Sequence, residues 1–356
     1  MKGLEFPLVG TKIPGPIIKY DLANVAVRKK YFEAKVGKEI AAISKYLKSN
    51  TFMAFLLGKK NSGKGTYSSL LREIFGDKIA TVAVGDLVRE VHKNWETYSS
   101  SVEYTQVKKL YRGYISLKEA ENRLHSRSTT TLLPSEYILA LLKARIASLG
   151  KKAVIIDGLP RDIDQISYSL FFRDLANYRD DPDFFVMIDT PMSVIDERIK
   201  YRVVCLKCNS SKNTKLNITQ EIEYDSQAKK FYLLCDNPDC NKNRMVPKEG
   251  DSLGIVPISA RLEKDERILL QVFKLHGISK VLLRNHVSVS EAENYFDECE
   301  LTPEYVLNWD AKKSIVKVGK KPWTIKDDSG VESYSLSAPA VVVSLLRQLP
   351  KVLQIH

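Results

Sequence analysis

The stretch GKKNSGKGT, from Gly58 to Thr66, constrains the fold of this chain more than any other feature. It lies between the apolar run TFMAFLL (51–57) and SSLLREIF (68–75), whose apolar residues have helical spacing. A glycine-rich loop between a buried strand and a helix surrounds phosphate oxygens with backbone N–H groups, and the helix N-terminus adds positive charge. The stretch therefore predicts a phosphate-binding loop. For the loop alone, a chance glycine-containing turn is the alternative.

Four further apolar runs have the length of buried strands, and helical patterns separate them. These runs are ATVAV (80–84), AVIID (153–157), FFVMID (184–189) and KVLL (280–283). The helical patterns cover 135–149, 162–175, 192–201 and 257–275. Strands that alternate with helices predict an α/β fold, a doubly wound parallel sheet with helices on both faces.

Two internal regions and both ends do not fit this alternation. Residues 92–134 are polar and tyrosine-rich, and residues 202–255 carry two cysteine pairs, so both are expected to be insertions. Residues 17–48 are expected to be partly helical. Residues 300–356 predict a small β-meander around SIVKV, PWTIK and ESYSLS, followed by a closing helix from Ala340.

Composition and charge limit the class of protein. The 356 residues are 44% hydrophobic and 28% charged, which is typical of a globular chain. No run has the length of a membrane span and the first residues lack the apolar core of a signal peptide, so we expect a cytoplasmic monomer without a membrane partner. The first fifty residues hold ten Lys/Arg and four Asp/Glu, half of the net charge of +12. This basic segment indicates either a surface for polyanions, including nucleic acid, or a solvated helix face around residues 28–30.

The hydroxyl of the loop is displaced by one residue from the general phosphate-loop pattern. Lys64 is followed by Gly65, and the hydroxyl comes at Thr66. This GKGT ending resembles the loop of the nucleoside monophosphate kinases, and of adenylate kinases in particular. Further matching segments follow in family order, namely GDLVREV (85–91), LLPSEYILALLK (132–143), DGLPRDIDQ (157–165) and DERIKYR (196–202). The resemblance covers roughly 51–298 without the inserts. It implies a P-loop NTPase-type fold with an insert that binds the nucleoside monophosphate (NMP) and a lid.

The loop chemistry and the resemblance together imply sites for ATP, for an NMP and for Mg²⁺. The ATP phosphates are expected at Gly58, Asn61, Ser62, Gly63, Lys64, Gly65, Thr66, Arg198 and Arg202. The NMP is expected at Val84, Asp86, Arg89, Gly158, Arg161, Gln165, Arg261 and Arg267. Mg²⁺ is expected, mostly through water, at Thr66, Asp86 and Asp157, and catalytic roles at Lys64, Asp157, Arg161 and Arg202.

These residue types suit phosphoryl transfer, in which positioning and charge neutralisation dominate. Arginine forks make bidentate contacts with phosphate, and a carboxylate directly after a strand can hold Mg²⁺-bound water. Each residue also has a structural alternative. Arg198 and Arg202 could form a solvated helix face, Asp157-Gly158 could be a strand-ending turn, and Arg89 could pair with Glu90 or Glu73 on the surface.

The chain departs from the family pattern at several points. Lys60 and Asn61 replace Pro and Gly of the loop, and Asn is one of the residues that tolerate a positive φ. The segment 86–135 is longer than the short family form. Arg261 and Arg267 both lie on one predicted helix, at an unusual spacing, so the sequence does not choose between them.

Gln165 makes AMP the expected acceptor, because an amide can pair with both N1 and the exocyclic amine of adenine. Val84 points the other way, since adenylate kinases usually carry a hydroxyl there. The expected reaction is therefore ATP + AMP = 2 ADP. The alternatives are a kinase for UMP, CMP or dTMP and a nucleic-acid-associated P-loop ATPase.

The cysteine pairs indicate a metal. Cys205-x2-Cys208 and Cys235-x4-Cys240 are separated by 26 residues that read as a β-hairpin, and paired thiolates at such spacings suit tetrahedral zinc. The alternative is four reduced structural cysteines, and Cys299 is left over. We expect a structural zinc in a ribbon-like lid.

The expected division is a basic N-terminal extension (1–50), a kinase core (51–201 and 256–298) with an enlarged NMP insert (86–135), a zinc lid (202–255) and a C-terminal extension (299–356).

Overall fold

The computed structural model describes residues 6–15, 19–126, 133–175 and 181–355. The start of the 132–143 motif and residues 127–132 of the predicted insert lie outside these ranges. The strands of the described residues are β1 Met53–Gly58, β2 Ile79–Ala83, β3 Ala153–Asp157, β4 Asp183–Asp189, β5 Arg202–Val204, β6 Ser211–Asn213, β7 Ile222–Asp225, β8 Lys230–Leu233, β9 Val246–Pro247, β10 Lys280–Arg284, β11 His286–Ser288, β12 Pro303–Asp310, β13 Ile315–Pro322, β14 Thr324–Lys326 and β15 Glu332–Ser335. The helices are α1 Val25–Tyr46, α2 Lys64–Phe75, α3 Val84–Lys93, α4 Trp95–Tyr98, α5 Val102–Leu110, α6 Leu117–His125, α7 Ser135–Ser148, α8 Asp164–Leu175, α9 Met192–Lys200, α10 Ser259–Lys274, α11 Val289–Tyr295 and α12 Ala338–Leu353.

A parallel sheet of five strands, in the order β10-β4-β1-β3-β2, forms the centre of the molecule. Its strands are the five that the apolar runs predict, and α2, α7, α8, α9 and α10 match the predicted helical patterns. Side chains alternate along β1: Phe55 and Leu57 face one core, whereas Ala54 and Leu56 face the other. The sheet with helices on both faces is consistent with an α/β P-loop kinase fold.

The extensions at both ends of the chain cover one face of the sheet. Tyr31 and Phe32 of α1 and Val341 of α12 are buried in the same core as α2 and β10. The residues before α1 also pack on the protein, since Thr11 donates a hydrogen bond to the buried Glu300 carboxylate. Arg28 forms an ion pair with Glu73 of α2. The basic N-terminal segment is therefore integrated into the fold, and Lys29 and Lys30 on α1 remain exposed.

The two predicted insertions have different structures. The described part of the first is helical (α4, α5 and α6) and packs beside α7 on the opposite face of the sheet. The second contains a three-stranded sheet, β6-β5-β9, and the expected hairpin, β7 with β8.

The predicted single β-meander near the C-terminus is wrong. β13 pairs along its whole length with β12, a strand that the sequence analysis missed, whereas β14 pairs with β15 and β15 pairs with β11. The 300–356 strands thus belong to two separate sheets. All eight residues of β13 pair with β12, and β14 pairs with β15 in the other sheet. The closing helix is confirmed and begins at Ala338. No helix among the described residues is long and apolar enough to cross a membrane.

Candidate active site

The order of the strands brings the predicted site residues together at the carboxyl edge of the sheet. β3 lies between β1 and β2, and Asp157 at its end is in register with Leu56 of β1 and Ala83 of β2. The phosphate loop follows β1 and the start of α3 follows β2. Ligands of open α/β sheets bind beyond this edge of the strands.

The loop has the backbone shape that its sequence requires. Asn61 has φ +65° and Gly63 has φ +106°, so the asparagine adopts a positive φ of the kind that this residue type tolerates. Gly58 is needed for close packing, because a Cβ there would lie 2.5 Å from Ser62 Oγ. Ser62 Oγ is itself buried and has no hydrogen-bond partner among the described residues.

Lys64 is the first residue of α2, and its side chain folds back over the loop. Nζ donates to the carbonyl oxygens of Gly58 (2.8 Å) and Lys59 (3.0 Å). Burial lowers the pKa of Lys64, while the Asp157 carboxylate opposes this effect. Burial raises the pKa of Asp157, against the charges of Lys64 and Arg161. Lys64 and Asp157 therefore lie close enough for each charge to affect the pKa of the other. Thr66 is exposed on the first turn of α2.

On the α3 side, arginines lie close to one another. A Cβ on Gly85 would be 3.1 Å from Arg161 Nη2 and 3.5 Å from Arg89 Nη1, and a Cβ on Gly158 (φ +88°) would be 2.4 Å from Arg161 Nη2. Glycine at both positions thus makes room for Arg161. Burial, and next the charge of Arg261, lower the pKa of Arg161. Its Nε is buried without a hydrogen-bond partner among the described residues.

Arg89 contacts the carboxylate of Asp86, its neighbour one turn earlier on α3. The alternative surface pairs are wrong, because Glu90 pairs with Arg145 and Glu73 pairs with Arg28. Asp86 is also close enough to Asp157 for its charge to raise the pKa of Asp157.

Arg261 and Arg267, between which the sequence did not choose, differ in their contacts with the phosphate loop. Arg261 Nε donates to Asp265 Oδ1 (2.7 Å), and Asp265 Oδ2 accepts the backbone N–H of Lys60 in the loop (2.9 Å). Arg267 lies about 120° around α10 from Arg261, at an exposed position. The geometry brings Arg261 to the site and leaves Arg267 outside it.

Arg198 and Arg202 reach the loop from α9 and from the residue that begins β5. Arg198 Nη1 donates to the Asn61 carbonyl oxygen (3.2 Å), and Arg202 Nη1 donates to Asn61 Oδ1 (3.3 Å). Arg202 also makes a bidentate ion pair with Asp251 at 2.6 and 2.7 Å. The alternative of a solvated helix face is wrong for both arginines.

Gln165 and Val84, the residues expected to contact the base, are both buried. Gln165 Oε1 accepts the backbone N–H of Arg161 (2.8 Å), and Nε2 donates to Ser135 Oγ (2.9 Å). Val84 is the first residue of α3. The amide is thus fixed by protein contacts before any base is bound.

The four paired cysteines form one cluster in the second insertion. Their sulfur atoms all lie within 4.8 Å of one another, and Cys208 and Cys235 are 3.6 Å apart. Four sulfur ligands about 2.3 Å from a tetrahedral zinc would be separated by roughly 3.8 Å, so the donor set and its size fit zinc. Cys205, Cys235 and Cys240 are buried, as in a closed structural site.

Sequence reasoning missed the partners that hold the cationic side chains, namely Asp251, Asp265 and Asn285. Asn285 is buried and accepts from Arg198 Nη2 (3.2 Å). It directly follows β10, the same position after a buried strand that drew attention to Asp157, so this signal could have identified it. Asp251 and Asp265 have no comparable local pattern.

Comparison with known proteins points to one class of enzyme. No family model matches the sequence. Over 202 residues it is 29% identical to an adenylate kinase of Thermotoga petrophila, covering 56% of this chain and 75% of the relative. Over 222 residues it is 27% identical to an adenylate kinase of Hydrogenobaculum sp., covering 62% of this chain and 86% of the relative. Over 151 residues, 42% of this chain, it is 28% identical to the mitochondrial GTP:AMP phosphotransferase of Drosophila melanogaster, of which it spans 56%. The chain is thus similar to adenylate kinases and to a GTP:AMP phosphotransferase, which are enzymes that phosphorylate nucleoside monophosphates.

Proposed function

We propose that the chain transfers the γ-phosphoryl group of ATP to AMP in a Mg²⁺-dependent reaction that gives two ADP. The observation that carries this proposal is the gathering of Lys64 and Arg161 around Asp157 at one edge of the sheet, with Arg89 beside Arg161. Such a set supplies positioning and charge neutralisation, on which phosphoryl transfer mainly depends. The acceptor is already a phosphate oxyanion, so the reaction needs no general base.

The phosphate loop forms the donor half of the proposed site. Lys64 would exchange its bonds to the loop carbonyls for bonds to the β- and γ-phosphate oxygens of ATP. Arg198 and Arg202, which both contact Asn61 of the loop, would bind the transferring phosphoryl group. Thr66, Asp86 and Asp157 offer the oxygen ligands that Mg²⁺ prefers, directly or through water. Bound Mg²⁺ would neutralise charge on the phosphates.

The acceptor half would hold AMP between Arg89, Arg161 and Gln165. Each of the two Gln165 amide atoms makes one protein hydrogen bond. A carbonyl oxygen has two lone pairs and an NH₂ group has two donors, so the amide keeps one of each for adenine. A base with the opposite pattern would leave these buried groups unpaired.

The proposed division of the chain assigns a role to each insertion. Residues 202–255 would form a zinc-stabilised lid over ATP. Arg202, its first residue, contacts Asn61 of the core (51–201 and 256–298). Residues 86–135 would form the enlarged NMP insert, and 1–50 and 299–356 would be extensions. Lid closure would exclude water and suppress ATP hydrolysis.

A coupled assay of purified protein tests the proposal, with AMP, UMP, CMP and dTMP as acceptors and ATP or GTP as donors. We expect the highest kcat/KM with ATP and AMP. A kcat/KM with UMP or CMP equal to that with AMP would overturn the choice of acceptor. ATP hydrolysis stimulated by RNA, without phosphorylation of any monophosphate, would overturn the kinase proposal.

Gln165→Leu should reduce the preference for AMP over the other monophosphates, because it removes both polar contacts to the base. Ser135→Ala is the matched control, since it removes a protein partner of Gln165 but keeps the amide. If both variants change the acceptor preference equally, the effect belongs to the position of α8 and not to recognition by Gln165.

A further inference from the structure

The side chain of Lys59, the second residue of the phosphate loop, points away from the phosphate side. It is 1% exposed, and its Nζ lies 3.0 Å from Asp328 Oδ2 and 3.4 Å from the Thr190 carbonyl oxygen. Asp328 follows β14 in the C-terminal extension, 269 residues along the chain from Lys59. A lysine so deeply buried needs a charged partner, and Asp328 supplies it.

The other oxygen of the same carboxylate binds a second part of the donor side. Asp328 Oδ1 accepts the backbone N–H of Met192 (2.8 Å), the first residue of α9. Ser193 Oγ donates to the Lys326 carbonyl oxygen (2.7 Å), so the segment 326–328 contacts two successive residues at the start of this helix. α9 carries Arg198, whose Nη1 donates to the carbonyl oxygen of Asn61 in the loop (3.2 Å).

A second contact joins the extension to Arg198 itself. Asn285 Oδ1 accepts both from Arg198 Nη2 (3.2 Å) and from Ser335 Oγ of β15 (3.1 Å). Asn285 Nδ2 donates to the hydroxyl of Tyr67, the residue after Thr66 (2.9 Å). The C-terminal extension thus contacts the loop, the helix of the donor arginines and the partner of one of those arginines.

We propose that Asp328 is a positioning residue of the ATP site, acting through Lys59 and α9. It holds the phosphate loop and the start of the arginine helix with one carboxylate, and so sets the distance between the loop N–H groups and Arg198. Binding of the triphosphate depends on both at once, because geometry and not covalent chemistry dominates in phosphoryl transfer. This inference rests on the proposed function.

The test measures binding of a non-hydrolysable ATP analogue to the full chain, without acceptor, together with steady-state kinetics. Asp328→Asn should weaken analogue binding at least tenfold, raise KM for ATP similarly and leave KM for AMP within twofold. Asp310→Asn is the matched control, because this aspartate of the same extension pairs with the exposed Lys317. It should change every parameter less than twofold.

A second variant covers the case in which Asp328→Asn does not fold. Lys59→Met/Asp328→Asn removes the buried ammonium together with its partner, so no unpaired charge remains. We expect it to bind the analogue several-fold more weakly than the unmodified protein, but more tightly than Asp328→Asn alone.

The outcomes separate this inference from the proposed function. Absence of analogue binding by the unmodified protein would overturn the proposed function itself. Normal binding by the unmodified protein with equal binding by Asp328→Asn, or by the double variant, would overturn the role of Asp328. A lower melting temperature with unchanged analogue affinity would also overturn it, since the contact would then only stabilise the fold.

Discussion

The two halves of the proposed site differ in how the protein holds its cationic side chains. On the donor side, each arginine has protein partners: Arg202 binds Asp251 in a bidentate pair, and Arg198 binds Asn61 and Asn285. On the acceptor side, Arg89 contacts Asp86 and Arg261 binds Asp265. Arg161, which lies near both arginines, differs from them because its Nε is buried without a partner among the described residues.

This difference indicates in which half a bound ligand would supply a partner that the protein does not. The donor arginines are set in place by protein contacts, so ATP would bind to a largely prepared site. Burial lowers the pKa of Arg161, and the positive charges of Arg261 and Arg89 lower it further. An anion beside Arg161 would oppose both effects. The acceptor half should therefore depend more strongly on each individual arginine.

The largest expected effects come from one residue of each half. Lys64→Ala and Arg161→Ala should each lower kcat by about 10²–10³-fold, because each removes a cation from the transferring phosphates. Lys64→Ala should also raise KM for ATP, and Arg161→Ala should raise KM for AMP. Lys78→Ala, at an exposed position in the turn that follows α2, serves as the control, with circular dichroism to verify folding. Near-normal turnover of Lys64→Ala would rule out the loop assignment.

A smaller effect tests the partner arginine on α10. Arg261→Ala should lower kcat/KM by about 10–100-fold, the size of one or two charge-assisted hydrogen bonds. Arg267→Ala should lower it at least several-fold less, because Arg267 is exposed on another side of the helix. Measurement of both variants under identical conditions decides the assignment. Equal losses would mean that the position of Asp265 and the loop, and not contact with phosphate, governs the effect.

Local patterns were sufficient for the centre of the fold. The run AVIID predicted β3 to the residue, and the positive φ of Asn61 agrees with the tolerance noted for asparagine at this position of the loop. Both depend on interactions within a few residues, namely burial of a short apolar run and the φ preference of asparagine.

Contacts between distant segments were not predictable from such patterns. Asp251 begins a short 3-10 helix and Asp328 lies in a turn, and nothing near them in sequence indicates that they bind Arg202 and Lys59. The strand β12 was missed because its residues are only partly buried and it pairs outside the central sheet. Acidic partners of a cationic site are fixed by tertiary packing, so the strand order and the structure of the extensions are needed to find them.

Removal of the proposed zinc should affect the donor half more than the acceptor half. We expect one zinc per chain by metal analysis, and a lower melting temperature after chelation, because metal binding is coupled to folding of the lid. KM for ATP should rise several-fold since Arg202 begins the proposed lid, while KM for AMP should change little. Cys235→Ser should reproduce these effects and Cys299→Ser should not. Protein without zinc whose stability is unaffected by a chelator would rule out the zinc site.

The smallest effect at neutral pH is expected at His286, which lies beside Asn285 behind the donor half. Burial, opposed by Asp189 and Asp327 and assisted by the charge of Arg284, lowers the pKa of His286 to about 4. Its Nε2 accepts from Arg284 Nε (3.4 Å) and lies 3.6 Å from Asp327, so the imidazole is neutral in the folded protein at pH 7.

In the unfolded chain His286 should titrate near its ordinary pKa of about 6.5. Between that value and about 4 the unfolded state binds the additional proton, so this residue makes stability fall as the pH decreases from 6.5 to 4. The contribution is at most about 3 kcal/mol of unfolding free energy.

Denaturant titrations at several pH values test this expectation. The free energy of unfolding should fall less steeply with decreasing pH for His286→Gln than for the unmodified protein, with little difference in pH dependence above pH 7. His276→Gln, at an exposed position, is the matched control. Parallel acid losses in His286→Gln and the unmodified protein would mean that other groups, and not this histidine, cause the acid sensitivity.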